Sequence, residues 1–470
     1  MAQRTLSLKK TVATLCTVAL LSVSALPAAS FSIKEEREVG EKLVYEVRQV
    51  FPLLEDPDIS QYITSLGDDV LSVAGVQYFK YHFYVIKSSQ FNAFSAPSGM
   101  IFFYSGLITQ MESEDELVAV LAHEIGHSVK RHIASGQKEG ACSTGAALAL
   151  AILGLAVGGN AAPALMTGAL ATGQTVNLHY SRIHEQEADS LAYHWLRKMK
   201  RNPQAEVQML GIMRRIARYR SEQLPQYLLT HPNPEERMNT VESFIDSDGI
   251  PADTRVIDNF AFLRFKYRIL VLTEDPDTLR NYFSNSLSGR DATEQTRTMA
   301  KYGLARLACE EMNFDNALKL IDEVIKVYPQ ASILKVDKGV ILIEAGKLNE
   351  ALPLLEQAHH DDAANLYTSW SLGRLYQQLG RVQDALHCYK EVQSVNPEYP
   401  KLLFEMGQIE AGQGNTGVAN YYLASSQLYE GNIKMAKESL NRALDGSSMS
   451  REFKHKCFEL QEKIHDLEKD

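Results

Sequence analysis

The sequence predicts a mainly α protein in two parts: a helical N-terminal domain holding a small antiparallel β-sheet, then an all-α solenoid of paired helices. Three observations carry this expectation. Ala317, Ala351 and Ala385 recur at intervals of 34, as do Gly339, Gly373 and Gly407, and Gly346, Gly380 and Gly414. A 34-residue period with small residues where two helices cross is the tetratricopeptide signature. Ahead of the repeats, Tyr78–Ile86 (YFKYHFYVI) and Met100–Tyr104 (MIFFY) are aromatic and β-branched and flank the turn-rich stretch Asn92–Gly99. They read as two strands of an antiparallel sheet. Third, Val118, Leu121, Ala122 and Ile125 recur at helical spacing behind the acids Glu112-Ser-Glu-Asp-Glu116. Those acids suit a helix's first turn, where the dipole favours negative charge.

At 470 residues the chain is too long for one ordinary core. The expected division is a signal peptide over 1–30, a first domain over 31–250, connecting helices over 251–296 and repeats over 297–470. A formal net charge of −10 argues against nucleic acid or anionic lipid as the main partner. The five cysteines include no Cys-x-x-Cys pair, so neither a redox motif nor a thiolate zinc site is indicated. Cys309, Cys388 and Cys457 read as small, semi-buried hydrophobes on helices.

At the N-terminus, Arg4, Lys9 and Lys10 precede an uncharged run from Thr11 to Leu26 and then Pro27-Ala-Ala-Ser30. That is a basic region, an apolar core and a small-residue cleavage site. The run is shorter than the ~20 residues that span a bilayer, so a cleaved signal and a periplasmic location are expected. Ile33–Val50 and Ile59–Val73 read as amphipathic helices. The edge of the sheet that follows could pair with an extended polypeptide, or could simply pack on the next helix and bind nothing.

The next helix carries His123-Glu124-Ile-Gly-His127. Residues four apart share a helix face, so His123 and His127 point two imidazoles at one place with Glu124 beside them. Two nitrogen ligands and a general base are the elements of a zinc hydrolase. From Gly140 to Ser181 there is no Asp, Glu, Lys or Arg, and Gly158-Gly-Asn-Ala-Ala-Pro163 interrupts the run. Each half is short for a spanning helix. A helical hairpin over 141–176 beside the site is favoured over a transmembrane pair, with peripheral membrane contact open to it.

Beyond it, Glu185 and Asp189 share a face of another helix. A carboxylate there could complete a metal site. Asp189 is placed to accept the second N–H of a ligand histidine, and Glu187 points away. The loop Thr230-His231-Pro-Asn-Pro234 follows, opening a helix at its prolines. His231 could approach the metal or the substrate, and Arg237 could stabilise an oxyanion.

His123-Glu-x-x-His127, Glu185-x-x-x-Asp189 and the Thr-His231-Pro loop, in that order, resemble the Ste-twenty-four/HtpX family of gluzincin peptidases, as does Asn92-Ala-Phe. The likeness covers roughly residues 31–245 and is greatest to the soluble periplasmic branch that ends in a repeat domain. It implies a gluzincin-like fold for the first domain and one Zn2+ held by His123, His127 and Glu185. Glu124 would be the catalytic base and His231 a fourth, self-inhibiting ligand, with a part also for Arg237. It further implies endopeptidase and chaperone work in quality control of exported or outer-membrane β-barrel proteins. Partners would be misfolded or assembling clients and the β-barrel assembly machinery, in association with the outer membrane.

In the C-terminal third, Leu304-Ala305, Lys338-Gly339, Leu372-Gly373 and Met406-Gly407 share one repeat position, while Ala419 to Ala436 spans only 17 residues and breaks the register. Single pairs cannot bury their apolar faces, so the repeats should stack into one curved unit. Its concave face would be a protein-binding groove or, more plainly, a scaffold. A client-binding chaperone or adaptor with a latent metal site is the second functional expectation, and a non-proteolytic zinc hydrolase the last.

Overall fold

A computed structural model describes residues 32–133, 180–219, 225–290, 292–445 and 449–468. The expected signal peptide, the hairpin over 141–176, Cys16 and Cys142 lie outside these residues. Among the described residues no helix is long and apolar enough to cross a membrane.

Helix α1 (Ile33–Val50) starts at a capping box in which Ser32 and Glu35 satisfy each other's backbone N–H groups. Its buried stripe, Val39, Leu43, Val44 and Val47, lies on one face of the sheet against Met100, Phe102 and Tyr104. Helix α2 (Pro57–Ala74), capped by Asp56, buries Ile59, Ile63, Leu66 and Val70 with Phe83, Val85, Ile101 and Phe103 on the opposite side. The sheet is therefore covered on both faces. This explains why the central strand, β3, is buried at every position.

The sheet departs from the antiparallel expectation. Strands β1 (His82–Ile86), β2 (Ala93–Ala96) and β3 (Met100–Tyr104) lie in the order β1-β3-β2. β1 runs parallel to β3, with His82 opposite Met100, while β2 pairs antiparallel with Ala93 opposite Phe103. The stretch that reads as a turn supplies an edge strand. Ala93, Ser95 and Ala96 lack the bulk that marks a strand, and β2 exists because its backbone pairs with β3. The reversal itself is confined to Pro97-Ser98-Gly99, where Ser98 and Gly99 take φ of 68° and 75°.

Next come α3 (Glu114–Val129), α4 (Arg182–Lys198), α5 (Gln204–Tyr219), the short α6 (Gln226–Thr230) and α7 (Pro234–Asp248). Helix α8 (Phe260–Thr273) serves two cores. Phe262, Phe265 and Ile269 join the first domain's core, and Tyr267 and Leu270 join that of the first repeats. After α9 (Pro276–Ser288) the paired helices are α10 (Glu294–Glu310) with α11 (Phe314–Val327), α12 (Ser332–Glu344) with α13 (Leu348–Asp361), and α14 (Leu366–Gln378) with α15 (Val382–Val395). Then follow α16 (Pro400–Gly412), α17 (Thr416–Tyr429), α18 (Ile433–Asp445) and α19 (Arg451–Glu468). Cys309, Cys388 and Cys457 are free and buried on these helices.

Each pair turns at a left-handed residue: Met312, Gly346, Gly380, Gly414 and Gly431, with φ between 58° and 82°. The last interval is half the others because α17 closes the pair begun by α16 and opens the next with α18. That accounts for the broken register.

The repeats do not stand apart from the first domain. Tyr45 Oη donates to Gly431 O (2.9 Å) and Arg48 Nη1 to Tyr429 O (2.6 Å). Gln61 Nε2 donates to Ala364 O, and Leu366 N to Gln61 Oε1. Between these contacts, buried Arg264 forks onto Asp58 of α2 and Asp337 of α12, and Arg268 reaches Asp56 and Asp337. Through α12 and the start of α14 the repeats hold their own N-terminal domain.

Candidate metal centre

Helix α3 begins where Ser113 accepts from Glu116 N. Its acidic first turn is tied down, since Arg201 donates to Glu114 (2.8 Å) and Asp115 (2.7 Å) and Tyr62 Oη donates to Glu114. Three turns on, His123, Glu124 and His127 are all buried; the two histidines face α4 and Glu124 faces Tyr227 and His231. The helices cross at Gly126, where a Cβ would lie 3.3 Å from Ala188 Cα. That close approach brings Glu185 and Asp189, either side of Ala188, up to the two imidazoles.

His123 Nε2 and His127 Nε2 are 3.0 Å apart. Glu185 Oε1 lies 3.4 Å from His127 Nε2, and Oε2 lies 3.7 Å from His123 Nε2. His231 joins them from the loop between α6 and α7, its Nδ1 3.0 Å from Glu185 Oε1 and 3.4 Å from His123 Nε2. The loop is shaped by Asn233, left-handed at φ 57°, and by Pro234 in the first turn of α7. One atom from each of the four residues falls within 4.8 Å of every other. Tetrahedral zinc with ligand bonds of about 2.0–2.2 Å needs donors roughly 3.3–3.6 Å apart. The donor set and its spacing fit such an ion.

The orphaned atoms fit it as well. Glu124 is wholly buried; its Oε1 accepts from Tyr227 Oη at 3.1 Å, and its Oε2 has no hydrogen-bond partner among the described residues. A buried carboxylate oxygen left so is costly, unless the site holds a further polar group when at work.

Around the four donors lies a shell of fixed charge. Asp189 Oδ1 is 2.8 Å from His123 Nδ1. Arg237, on α7, forks onto Asp189 through Nε (2.8 Å) and Nη2 (2.6 Å), and its Nη1 lies 2.6 Å from Glu185 Oε2. The oxyanion role expected for Arg237 does not match this position, because its guanidinium is turned onto the carboxylates behind the donors. Burial pushes the Glu185 and Asp189 carboxyls up, but Arg237, with His231 and His123, outweighs it and holds both below the usual range. Burial holds His127 well below an ordinary imidazole, in the neutral form a metal requires. His231 goes the other way: burial is outweighed by Glu185 and Glu124, which raise it.

Three contributors, Tyr227, Tyr180 and His132, are absent from the sequence analysis, and a fourth, Glu187, is placed there away from the site. Tyr227 bonds Glu124, and Tyr180 stacks on His127 (centroids 3.8 Å apart) while its hydroxyl meets Ser95 Oγ of β2 at 3.2 Å. His132 meets His127, and Glu187 meets His132. None lies at a spacing that marks it beforehand. Tyr227, one turn before His231 on α6, is the nearest to a readable signal.

The profile of peptidase family M48 matches residues 57–245, the span that contains every donor. The profile of the Psidin N-terminal TPR repeats region matches residues 308–406. The chain is 30% identical over 364 residues to the β-barrel assembly-enhancing protease of Escherichia coli, an alignment covering 76% of this chain and 73% of that one. It is 26% identical over 424 residues to a putative β-barrel assembly-enhancing protease of Vibrio cholerae, covering 82% and 87%. Metalloprotease LoiP of Escherichia coli is 28% identical over 166 residues, 35% of this chain and 63% of that protein. By centre, sequence and repeats alike, the chain belongs to the metallopeptidases of family M48, among members similar to β-barrel assembly-enhancing protease that carry tetratricopeptide repeats.

Proposed function

We propose that the chain is a zinc-dependent endopeptidase acting on protein clients, held closed at rest by His231. The observation that carries this reading is the buried set His123, His127 and Glu185 with Glu124 Oε2 left open beside it. Zinc, held by those three residues, would supply a Lewis acid that polarises the scissile carbonyl and acidifies a water. The rest falls to the chain's own groups. Glu124 Oε2 takes a proton from the attacking water and returns it to the leaving amine. Tyr227 fixes Glu124 through Oε1. Asp189 holds the His123 tautomer, and Arg237 fixes Asp189 and Glu185 as a positioning residue. The edge strand β2, next to Tyr180 and His127, offers a backbone with which an extended substrate can pair.

Catalytic zinc sites keep one position open. His231, the fourth donor of the set, would fill that position when a metal is bound, and an incoming substrate would then have to displace it together with its loop. On this reading His231→Ala raises the turnover of an unfolded protein several-fold, and unchanged or lower turnover in a folded variant removes the latch.

The relatives' names place their work in β-barrel assembly, and the basic, apolar and small-residue pattern of residues 1–30 is that of an export signal. We therefore place this chain in the periplasm, with β-barrel proteins of the outer membrane and their assembly machinery as clients and partners. The presence of a fourth donor, His231, beside the other three favours one further reading, a client-binding chaperone whose metal centre is latent. Digestion of unfolded casein by the full chain separates the two. Cleavage abolished by a chelator and restored by zinc supports the peptidase; no cleavage by the zinc-loaded protein or by its His231→Ala variant supports the chaperone.

A further inference from the structure

We infer that His132, backed by Glu187, is a positioning residue for His127, completing a proton-fixed chain from the metal centre to the protein surface. The inference rests on the proposed zinc ligation by His123, His127 and Glu185. His127 turns Nε2 toward the other donors, so a metal bound there needs that nitrogen's lone pair, and the ring's one proton must sit on Nδ1. His127 Nδ1 faces His132 Nδ1 at 2.9 Å. Two facing ring nitrogens bond only if one carries the proton and the other does not. His132 must then accept at Nδ1 and carry its own proton on Nε2, which lies 3.0 Å from Glu187 Oε2. Every proton in the chain is thereby assigned. The arrangement parallels His123, whose Nδ1 meets Asp189 directly. Each ligand imidazole has a carboxylate behind it, one buried and direct, the other 44% exposed and reached through a second imidazole.

The backbone is shaped for this placement. α3 ends at Val129 and Arg131 takes the left-handed φ of 53°, a conformation that non-glycine residues seldom adopt. Arg131 Nε donates to buried Glu36 at 2.7 Å, pinning the turn. The chain is folded back so that His132, 3% exposed, lies over His127. His184 of α4 stacks on the far side of the His132 ring, centroids 4.2 Å apart.

A plainer role for His132 is to fill space under His184, and two substitutions tell the roles apart. Asparagine puts Oδ1 where His132 has Nδ1 and keeps the acceptor; phenylalanine keeps the ring and removes it. Zinc affinity is measured on the full chain by chelator competition, with the melting temperature of the metal-free form as a check on folding. Loss of a metal ligand's hydrogen-bonding partner costs roughly 10–100-fold in affinity. We expect that loss for His132→Phe, a smaller loss shared by His132→Asn and Glu187→Gln, since both keep the acceptor toward His127 and break only the Glu187 contact, and metal-free melting temperatures that stay together. Wild-type affinity in His132→Phe, or equal losses in the Phe and Asn variants, would overturn the inference. If instead the wild type binds no zinc, or His123→Ala binds it as well as the wild type, the ligand assignment itself is wrong and the inference falls with it.

Discussion

Glu124 and His231 divide one small space between them. His231 Nε2 lies 3.6 Å from Glu124 Oε1, and both side chains are fully buried. Tyr227 Oη touches the same oxygen, so the base is held on one side and open on the other. Tyr227→Phe removes a bond to a charged group, worth about 1.5–3 kcal/mol. Its expected effect is a kcat for casein cleavage lower by roughly 10-fold or more with zinc content unchanged, and an unchanged kcat would show that Glu124 needs no such support. The four residues His123, His127, Glu185 and Asp189 of the candidate site are legible in the sequence because each pair obeys the i, i+4 rule within a single helix. Tyr227, His132 and the direction of Arg237 are not. They meet the centre only because separate helices and loops close around it, and no periodicity records that.

The crossing of α3 and α4 sets the distance between the histidines and Glu185, and Gly126 sets the crossing. A side chain there must displace Ala188, whose Cα and carbonyl oxygen stand 3.3 and 3.4 Å from the position of a Cβ. For Gly126→Val we expect a loss of about 1–3 kcal/mol in stability and a clear drop in zinc affinity, read by thermal melting and chelator competition. Wild-type values in both measurements would mean that the helices can part without cost to the centre. The strands show where element-level reading stops. Aromatic and β-branched runs marked β1 and β3, but not their parallel pairing, which depends on β2 lying at the far edge. The repeat helices were easier, because a period of 34 survives in Ala317, Ala351 and Ala385 whatever the rest of the chain does.

The whole molecule is held together by a buried charge cluster at the junction of its two parts. Asp56 and Asp58 cap and open α2, Arg264 and Arg268 come from α8, and Asp337 comes from α12. Breaking such a cluster strands the partner charge, which costs about 3–5 kcal/mol. Asp337→Ala should therefore lower the melting temperature sharply, whereas loss of a solvated surface pair would barely move it. Burial pushes the Asp56 and Asp337 carboxyls up, but Arg268 and Arg264 outweigh it and hold both below their usual range. Depressed values mean stabilisation that is present above the unfolded pKa of about 3.9. It is lost as pH falls through the folded value. Melting temperature should fall with acidification below about pH 4, and less steeply in Asp337→Asn. The sequence showed both parts but not this joint, because its five charged residues are scattered from 56 to 337 and each alone looks like surface.

The joint ties the repeats to the domain that holds the buried centre, and the proposed peptidase requires that centre to be a working one. Glu124→Gln tests it most directly, since it keeps the shape and the donors and removes only the base. Zinc content and casein cleavage are measured on the same purified sample. The expected result is zinc binding equal to wild type with cleavage reduced to background. Cleavage retained by a zinc-loaded Glu124→Gln variant would contradict it.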